Sequence, residues 1–409
     1  MKVLHISTGD SGGAGLCCIR LHKGLLANGR ESKVLVLNKT LNEPELYRFE
    51  QKSEKPPFPI SFVWPYLALT ARKFGIPLSR VERYRDRLNK LREGRQVFFT
   101  LPVSDLDLAG HPLVRETDII HLHWVADFLD YPSFFAKVNK PIVWTVHDEN
   151  LYMGGWHYRR AREEYPLLDE LDDELASIKQ RSLARQRKVT IVSLSRMMRE
   201  FAVSHRSFTD REHRVIHNPV DHMTFRPVDK FFSRELLGLP KDKKILCFVS
   251  FGLWDTRKGL KELLVALKSL RRPDIVLCAV GAGDVKGISD QETFSLGLVR
   301  DERLMAAAYS AADLFVMPSF QEAFAQAPLE AMACGVPVVA FPCSGTEELI
   351  NERNGIRTVD FTVESLREGI AKALNTKYDP EWIRNDVIER FGIEKIVSQY
   401  VDVYQQVLT

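Results

Sequence analysis

The 409-residue chain has no long apolar run, no disulfide pattern and little net charge. A net charge of +3 is too small to argue for nucleic-acid binding by itself. The six cysteines form no framework: Cys17 and Cys18 are adjacent, Cys247, Cys278, Cys334 and Cys343 are scattered through apolar runs, and no CxxC occurs. They read as reduced, buried thiols of a cytoplasmic protein. Apolar residues make up 45% and charged residues 27%, with 23 Gly and 20 Pro. Those values exclude disordered, collagen-like and fibrous classes. The most lipid-like stretch, residues 60–69, is interrupted by Pro65 and is too short to span a bilayer. The opening Lys2-Val3-Leu4-His5-Ile6-Ser7 reads as a strand, so no secretory leader is expected.

Several nucleotide and metal signatures are also missing. There is no G-x-x-x-x-G-K-[ST] and no HExxH. The glycines from Gly9 to Gly15 run G-x-x-G-G-x-G, not G-x-G-x-x-G, and the second strand ends in Asn38 rather than an acid. Gly281-x-Gly283-x-x-x-Gly287 misses that spacing too. These departures make a nicotinamide site a poor reading. The histidines lack ligand spacing, and His121 and His123, alternating on a strand, read as packing. Asp105-x-Asp107 reads as a surface pair. Neither a metal nor a resident cofactor is expected.

What is present is a regular alternation of strand-like and helix-like segments. A strand over 2–7, a glycine turn and a helix stopped by Asn28-Gly29 are followed by a strand over 32–37. Buried strands are expected at 118–123, 141–147 and 189–193, and a second α/β series begins near residue 240. The chain length and this rhythm predict two doubly wound domains, a linker near 218–235 and a cleft between them. Open sheets of this kind bind ligands beyond the carboxyl ends of their strands.

The most informative string runs from Pro318 to Val339, PSFQEAFAQAPLEAMACGVPVV. A loop carrying Glu322 leads into a helix in which Pro328 suits the first turn and Gly335 the position after the end. Glu330 is therefore expected in the first turn, beside unpaired backbone N–H groups that can hold phosphate. A carboxylate there can accept ribose hydroxyl protons.

This string resembles the Glu-x7-Glu signature of the retaining glycosyltransferases of family 4, which have the GT-B fold. The resemblance implies that Glu330 binds the nucleotide ribose and Glu322 the donor sugar, while loop amides around Phe324, Ala325 and Gln326 hold the sugar and diphosphate. Ser11-Gly12-Gly13-Ala14 is similar to the family's N-terminal glycine turn, which implies backbone approach to the diphosphate at Gly12 and Gly13. In Phe251–Gly259, Lys258 matches the family's diphosphate-neutralising lysine. The arginine expected six residues earlier is Gly252 here, and Arg257 is the cation available to replace it. Ala325 stands where the family usually has glycine, which would narrow the donor loop. His147 implies a histidine near the donor sugar. The run from His147-Asp148 to Gly154-Gly155-Trp156-His157-Tyr158 resembles colanic acid and other exopolysaccharide glycosyltransferases. An ordinary core histidine bonded to Asp148 is the plainer alternative for His147.

The resemblance implies a retaining, metal-independent enzyme of polysaccharide biosynthesis. Residues 1–220 would bind a glycan or lipid-linked glycan acceptor, 221–392 a UDP- or GDP-sugar, and 393–409 would form a helix crossing back to the first domain. A nucleotide-binding scaffold of the same fold without catalysis is the alternative. Residues 55–100 hold ten Lys or Arg and three acids. There Val81, Tyr84, Leu88 and Leu91 share a helix face, with Arg80, Arg83, Arg87 and Lys90 away from it and Phe58, Phe62, Trp64 and Tyr66 upstream. That pattern suits either peripheral contact with an anionic membrane or a solvated face on a packed helix.

Overall fold

The computed structural model describes residues 1–51, 79–205, 208–285 and 291–409. The upstream aromatics, the stretch 60–69 and Gly287 lie outside the described residues. The chain divides into two compact units. The first comprises 1–192, 201–214 and 403–409, and the second 193–200 and 215–402. The final helix, Ile393–Leu408, contributes residues to both.

The first sheet contains β1 (Lys2–Gly9), β2 (Glu31–Asn38), β3 (Leu46–Arg48), β4 (Ile119–Leu122), β5 (Ile142–Val146), β6 (Val189–Ser193) and β7 (Glu212–Val215). Their order is β3-β2-β1-β4-β5-β6-β7. Pairing is parallel from β3 through β5. β4 and β5 are buried along their whole length, as expected of mainly apolar strands in a sheet covered on both faces.

The second sheet contains β8 (Lys244–Gly252), β9 (Ile275–Ala282), β10 (Thr293–Gly297), β11 (Leu314–Met317), β12 (Val338–Ala340) and β13 (Gly355–Arg357). Its order is β10-β9-β8-β11-β12-β13, parallel throughout. Leu246, Leu277, Leu314 and Val339 of this sheet pack with Leu263, Leu267, Leu366 and Ile370 from helices.

In each sheet the strand order reverses direction at one place, between β1 and β4 and between β8 and β11. At such switch points adjacent loops leave in opposite directions and open a crevice. The loop after β1 carries Gly12 and Gly13, that after β8 carries Arg257 and Lys258, and that after β11 carries Glu322.

The helix Arg80–Leu91 forms as its periodicity predicts, with Ser79 accepting the Glu82 amide at its start. Val81 and Leu88 are buried against Phe99, Trp156 and Leu171, with Tyr84 and Leu91 packed on the same cluster. Its apolar face thus serves the first unit's own core. Arg80 pairs with Asp130 at 2.8 Å, and Arg87 pairs with Glu174. Asp107 pairs with Lys137 at 3.0 Å, as a surface acid does.

The loop after β5 is fastened by one carboxylate. Asp172 is fully buried, accepts the amides of Gly155 and Trp156 at 2.7 and 3.2 Å, and pairs with Arg162 at 3.0 Å. Removing it would leave two buried amides without their acceptor, while Arg162 would keep Asp169 and Asp173. Asp172→Ala is expected to lower unfolding stability by about 2–4 kcal/mol, the cost of leaving two buried amides unsatisfied. Urea denaturation followed by tryptophan fluorescence measures it, and a loss below about 1 kcal/mol would mean the loop is held by packing alone.

Candidate functional site

The second unit's site begins with a turn. β8 ends at Gly252, and residues Thr256–Lys258 form a short 3-10 turn in which Asp255 accepts the Arg257 amide at 3.0 Å. Gly259 follows in the left-handed region, at φ 72°. A Cβ built there would stand 2.0 Å from the carbonyl oxygen of Pro318, at the end of β11. The Phe320 amide donates to the Arg257 carbonyl at 2.9 Å, so the two loops are joined backbone to backbone.

This close approach brings both cations to one carboxylate. Lys258 Nζ lies 2.5 Å from Glu322 Oε1 and Arg257 Nη1 lies 3.4 Å from the same oxygen. Arg257 also donates to the Gln321 carbonyl at 2.8 Å and pairs with Asp255 at 3.1 Å. Glu322 is buried. Burial alone would raise its pKa, but Lys258 and Arg257 outweigh that and hold it below the ordinary carboxylate value. The anion that a lysine near a helix start requires is therefore supplied by Glu322.

The helix beyond runs Gln326–Ala333, with Ala325 at its N-cap. Pro328 is its third residue and so lies in the first turn, as expected. Glu330 consequently sits in the second turn, not beside the free amides of the first. Its Oε2 accepts from the hydroxyl of Tyr309 at 2.9 Å, and the carboxylate is buried. Ala325 has φ −70° and ψ 139°, extended backbone that alanine adopts without strain. The Phe324 side chain turns inward and stacks on His217 at 4.7 Å, so its ring is not available to a ligand. Even its carbonyl is engaged, accepting from Asn218 Nδ2 at 2.8 Å.

In the first unit, Gly12 and Gly13 open the helix Gly12–Ala27 behind Ser11. Gly12 has φ 71°, and a Cβ at Gly13 would meet no atom within 4 Å, so the turn's outer side is open. Gly15 carries the close contact instead: a Cβ there would lie 2.8 Å from the Gly9 carbonyl. His147 follows β5 as expected, but it is not the partner of Asp148. Asp148 binds His157 at 2.5 Å and Trp124 Nε1 at 2.8 Å. His147 Nε2 lies 3.1 Å from His123 Nδ1. His121 and His123 are likewise more than packing, for β1 brings His5 beside them, and nitrogens of the three lie within 4.8 Å of one another, close enough to hold a metal ion.

The structure thus groups Arg257, Lys258 and Glu322 and sets Glu330 on Tyr309, all in the second unit. Gly12, Gly13 and His147 belong to the first. Tyr309, Gly259 and His123 were not singled out as site residues from sequence. The left-handed glycine directly after Lys258 was the one signal that could have marked the turn.

Residues 229–390 match the family model for glycosyl transferases group 1. An uncharacterized glycosyltransferase of Methanocaldococcus jannaschii is 25% identical, over 96% of this chain and 94% of its own. D-inositol 3-phosphate glycosyltransferase 2 of Catenulispora acidiphila is 31% identical, over 46% of this chain and 49% of its own. These matches support a group 1 glycosyltransferase. Sucrose-phosphate synthase of Thermosynechococcus elongatus superposes with a TM-score of 0.66 at 18% identity, covering 100% of this chain and 99% of that one. Anabaena HepE in complex with UDP and glucose gives 0.66 at 18% identity, covering 99% and 100%. The fold is GT-B.

The second unit's site makes two expectations. Gly259→Ala meets both a positive φ and the Pro318 carbonyl, and should destabilise the protein by about 2–4 kcal/mol. Chemical denaturation reads this, and a change under about 0.5 kcal/mol would show that the two loops separate freely. The second expectation concerns pH. A carboxyl whose pKa is lowered on folding adds stability above its unfolded value, here 4.5, and loses it as pH falls through the folded value. The stability gap between wild type and Glu322→Gln should therefore be widest above pH 4.5 and narrow on acidification, by about 1.4 kcal/mol for each pH unit by which folding lowers the titration. A gap that stays constant from pH 7 to 3 would disprove the charge pairing.

Proposed function

We propose that this chain is a retaining, metal-independent glycosyltransferase of the Glu-x7-Glu kind, moving a sugar from a UDP-sugar to a glycan or lipid-linked glycan acceptor. The observation that carries this reading is the convergence of Lys258 and Arg257 on Glu322 at the switch point of the second sheet, inside the segment that matches the family model. Two fixed cations at a strand end can neutralise a departing diphosphate without a metal ion. UDP is favoured as the nucleotide because HepE of Anabaena, alike in fold, is in complex with UDP and with UDP-glucose. The acceptor is proposed to lie on the first unit. In this reading the exposed Arg83 and Lys90 face an anionic lipid surface, with contact through charge rather than insertion.

In this reading the sugar C1–O bond to the diphosphate breaks while the acceptor oxygen bonds C1 on the same face. The acceptor's proton passes to the leaving phosphate oxygen, so no protein base is required. Lys258 and Arg257 exchange part of their interaction with Glu322 for the phosphate oxygens, which frees the carboxylate for sugar hydroxyls. Glu330 accepts from the ribose hydroxyls while Tyr309 fixes its orientation.

Melting with UDP and UDP-sugars in EDTA tests the proposal, since a ligand that binds the native state alone raises the melting temperature. A shift with UDP in EDTA is expected; one that needs Mg²⁺ or Mn²⁺ would reject the metal-free reading, and one seen only with GDP would reassign the base. Glu330→Ala should weaken UDP binding by about 1–3 kcal/mol. Glu322→Ala should leave UDP binding largely intact and abolish turnover of a UDP-sugar with a crude glycan-lipid extract. Equal loss of UDP affinity in both variants contradicts this division, and binding with no turnover by the wild type favours the non-catalytic scaffold.

A further inference from the structure

The first unit holds a row of imidazoles behind His147. His5 lies in β1, His123 directly after β4 and His147 directly after β5. His123 Nδ1 is 3.1 Å from His147 Nε2, and His123 Nε2 is 3.0 Å from His5 Nδ1. His5 and His123 are buried, and His5 Nε2 has no hydrogen-bond partner. His121 stands beside the row, held by the Tyr404 hydroxyl at 2.6 Å and the Thr145 hydroxyl at 2.8 Å. Burial, reinforced by the neighbouring imidazoles, holds His5, His121 and His123 well below the ordinary histidine pKa. Burial also brings His147 down to about 4, against the opposing pull of Asp148. The other titratable group facing the row is His22, whose ring centre is 6.3 Å from that of His5. At neutral pH the row is uncharged.

A neutral imidazole has one N–H and one lone pair. Two nitrogen-to-nitrogen bonds in series therefore allow only two arrangements, because every N–H must point the same way along the row. If His147 donates from Nε2, His123 donates from Nε2 and His5 is left with an N–H at its buried Nε2. If His5 donates from Nδ1, His123 donates from Nδ1, His147 carries its proton on Nδ1, and His5 Nε2 is a bare lone pair. Buried N–H groups without an acceptor are rarer than buried acceptors without a donor.

We propose that His5 and His123 are positioning residues that lock His147 in the Nδ1–H tautomer, making it a hydrogen-bond donor at the end of β5. The row ends in the core at His5 Nε2, so it sets a tautomer and does not conduct protons. The donor suits an acceptor oxygen of a sugar or phosphate; that use rests on the function proposed above, whereas the tautomer does not. A metal on His5, His121 and His123 would instead consume the lone pairs of the row and require His121 to leave Tyr404 or Thr145.

Nitrogen-15 NMR of the full-length protein labelled at histidine distinguishes these states without any substrate. At pH 7 the His147 signals, assigned by their loss in His147→Gln, should show Nδ1 protonated in at least about tenfold excess, the weight of one unsatisfied buried group. Protonation on Nε2, or averaged shifts, overturns the proposal. His123→Asn, whose amide N–H can stand near the former Nδ1, should keep the tautomer, and His123→Leu, which removes the donor facing His147 Nε2, should let it average. Equal behaviour of the two folded variants also overturns it. Metal analysis of the purified protein is the remaining arm. Stoichiometric metal that His5→Asn releases would replace the tautomer lock with a metal centre. A failed turnover assay with an intact Nδ1–H signal would reject the function and leave the lock standing.

Discussion

Gly259 meets the Pro318 carbonyl at a separation that leaves no room for a side chain, and the second unit's site follows from that contact. β8 and β11 are neighbours in the sheet, but neighbouring strands alone do not force their following loops together. The left-handed residue turns the chain so that the helix from Leu260 can start while Lys258 faces the next loop. The hydrogen bond from Phe320 to Arg257 then fixes the register of the two loops. A salt bridge between long side chains is weak when both must be ordered for it. Here the backbones are already fixed, so less side-chain freedom is lost when Lys258 and Arg257 reach Glu322.

Electrostatics inside this loop pair has a definite direction. Glu322 is buried, which disfavours its charge, yet it stays ionised because two cations face it. The cations are partly exposed, at 18% for Arg257 and 21% for Lys258. Glu322 thus acts as the resting counter-ion that keeps the two cations gathered. Glu330 is held differently, by a neutral phenol, which orients the carboxylate without competing for a ligand's charge.

Much of the fold was legible in the sequence. Buried parallel strands are rich in apolar and β-branched residues, and β6 agrees with its expected limits residue for residue. The short strands β3, β10 and β13 escaped, because three to five residues carry too little periodicity and β10 is only half buried. Pro328 does lie in the first turn of the helix from Gln326, but Glu330, two residues further, falls beyond it. What the sequence could not give is partnership between remote residues. Nothing in the spacing of His5, His121 and His123 announces a cluster; parallel pairing of β1 with β4 sets His5 opposite His121. Asp148 and His147 are adjacent in sequence, yet successive residues leaving a strand point apart, and each took a partner from another segment.

Gly252 stands where the resembling family has arginine. A Cβ at Gly252 would meet no atom within 4 Å, so space does not forbid a larger residue. The missing charge is therefore not a steric concession. Arg257, five positions later, already places a guanidinium nitrogen 3.4 Å from Glu322 and anchors it on the Gln321 carbonyl. The same guanidinium also pairs with Asp255 at 3.1 Å. Its position in the turn, rather than at the strand end, ties that charge to the Glu322 loop. The cation and the carboxylate it faces are then set by the same backbone contact at Gly259, and the geometry of one cannot change without the other.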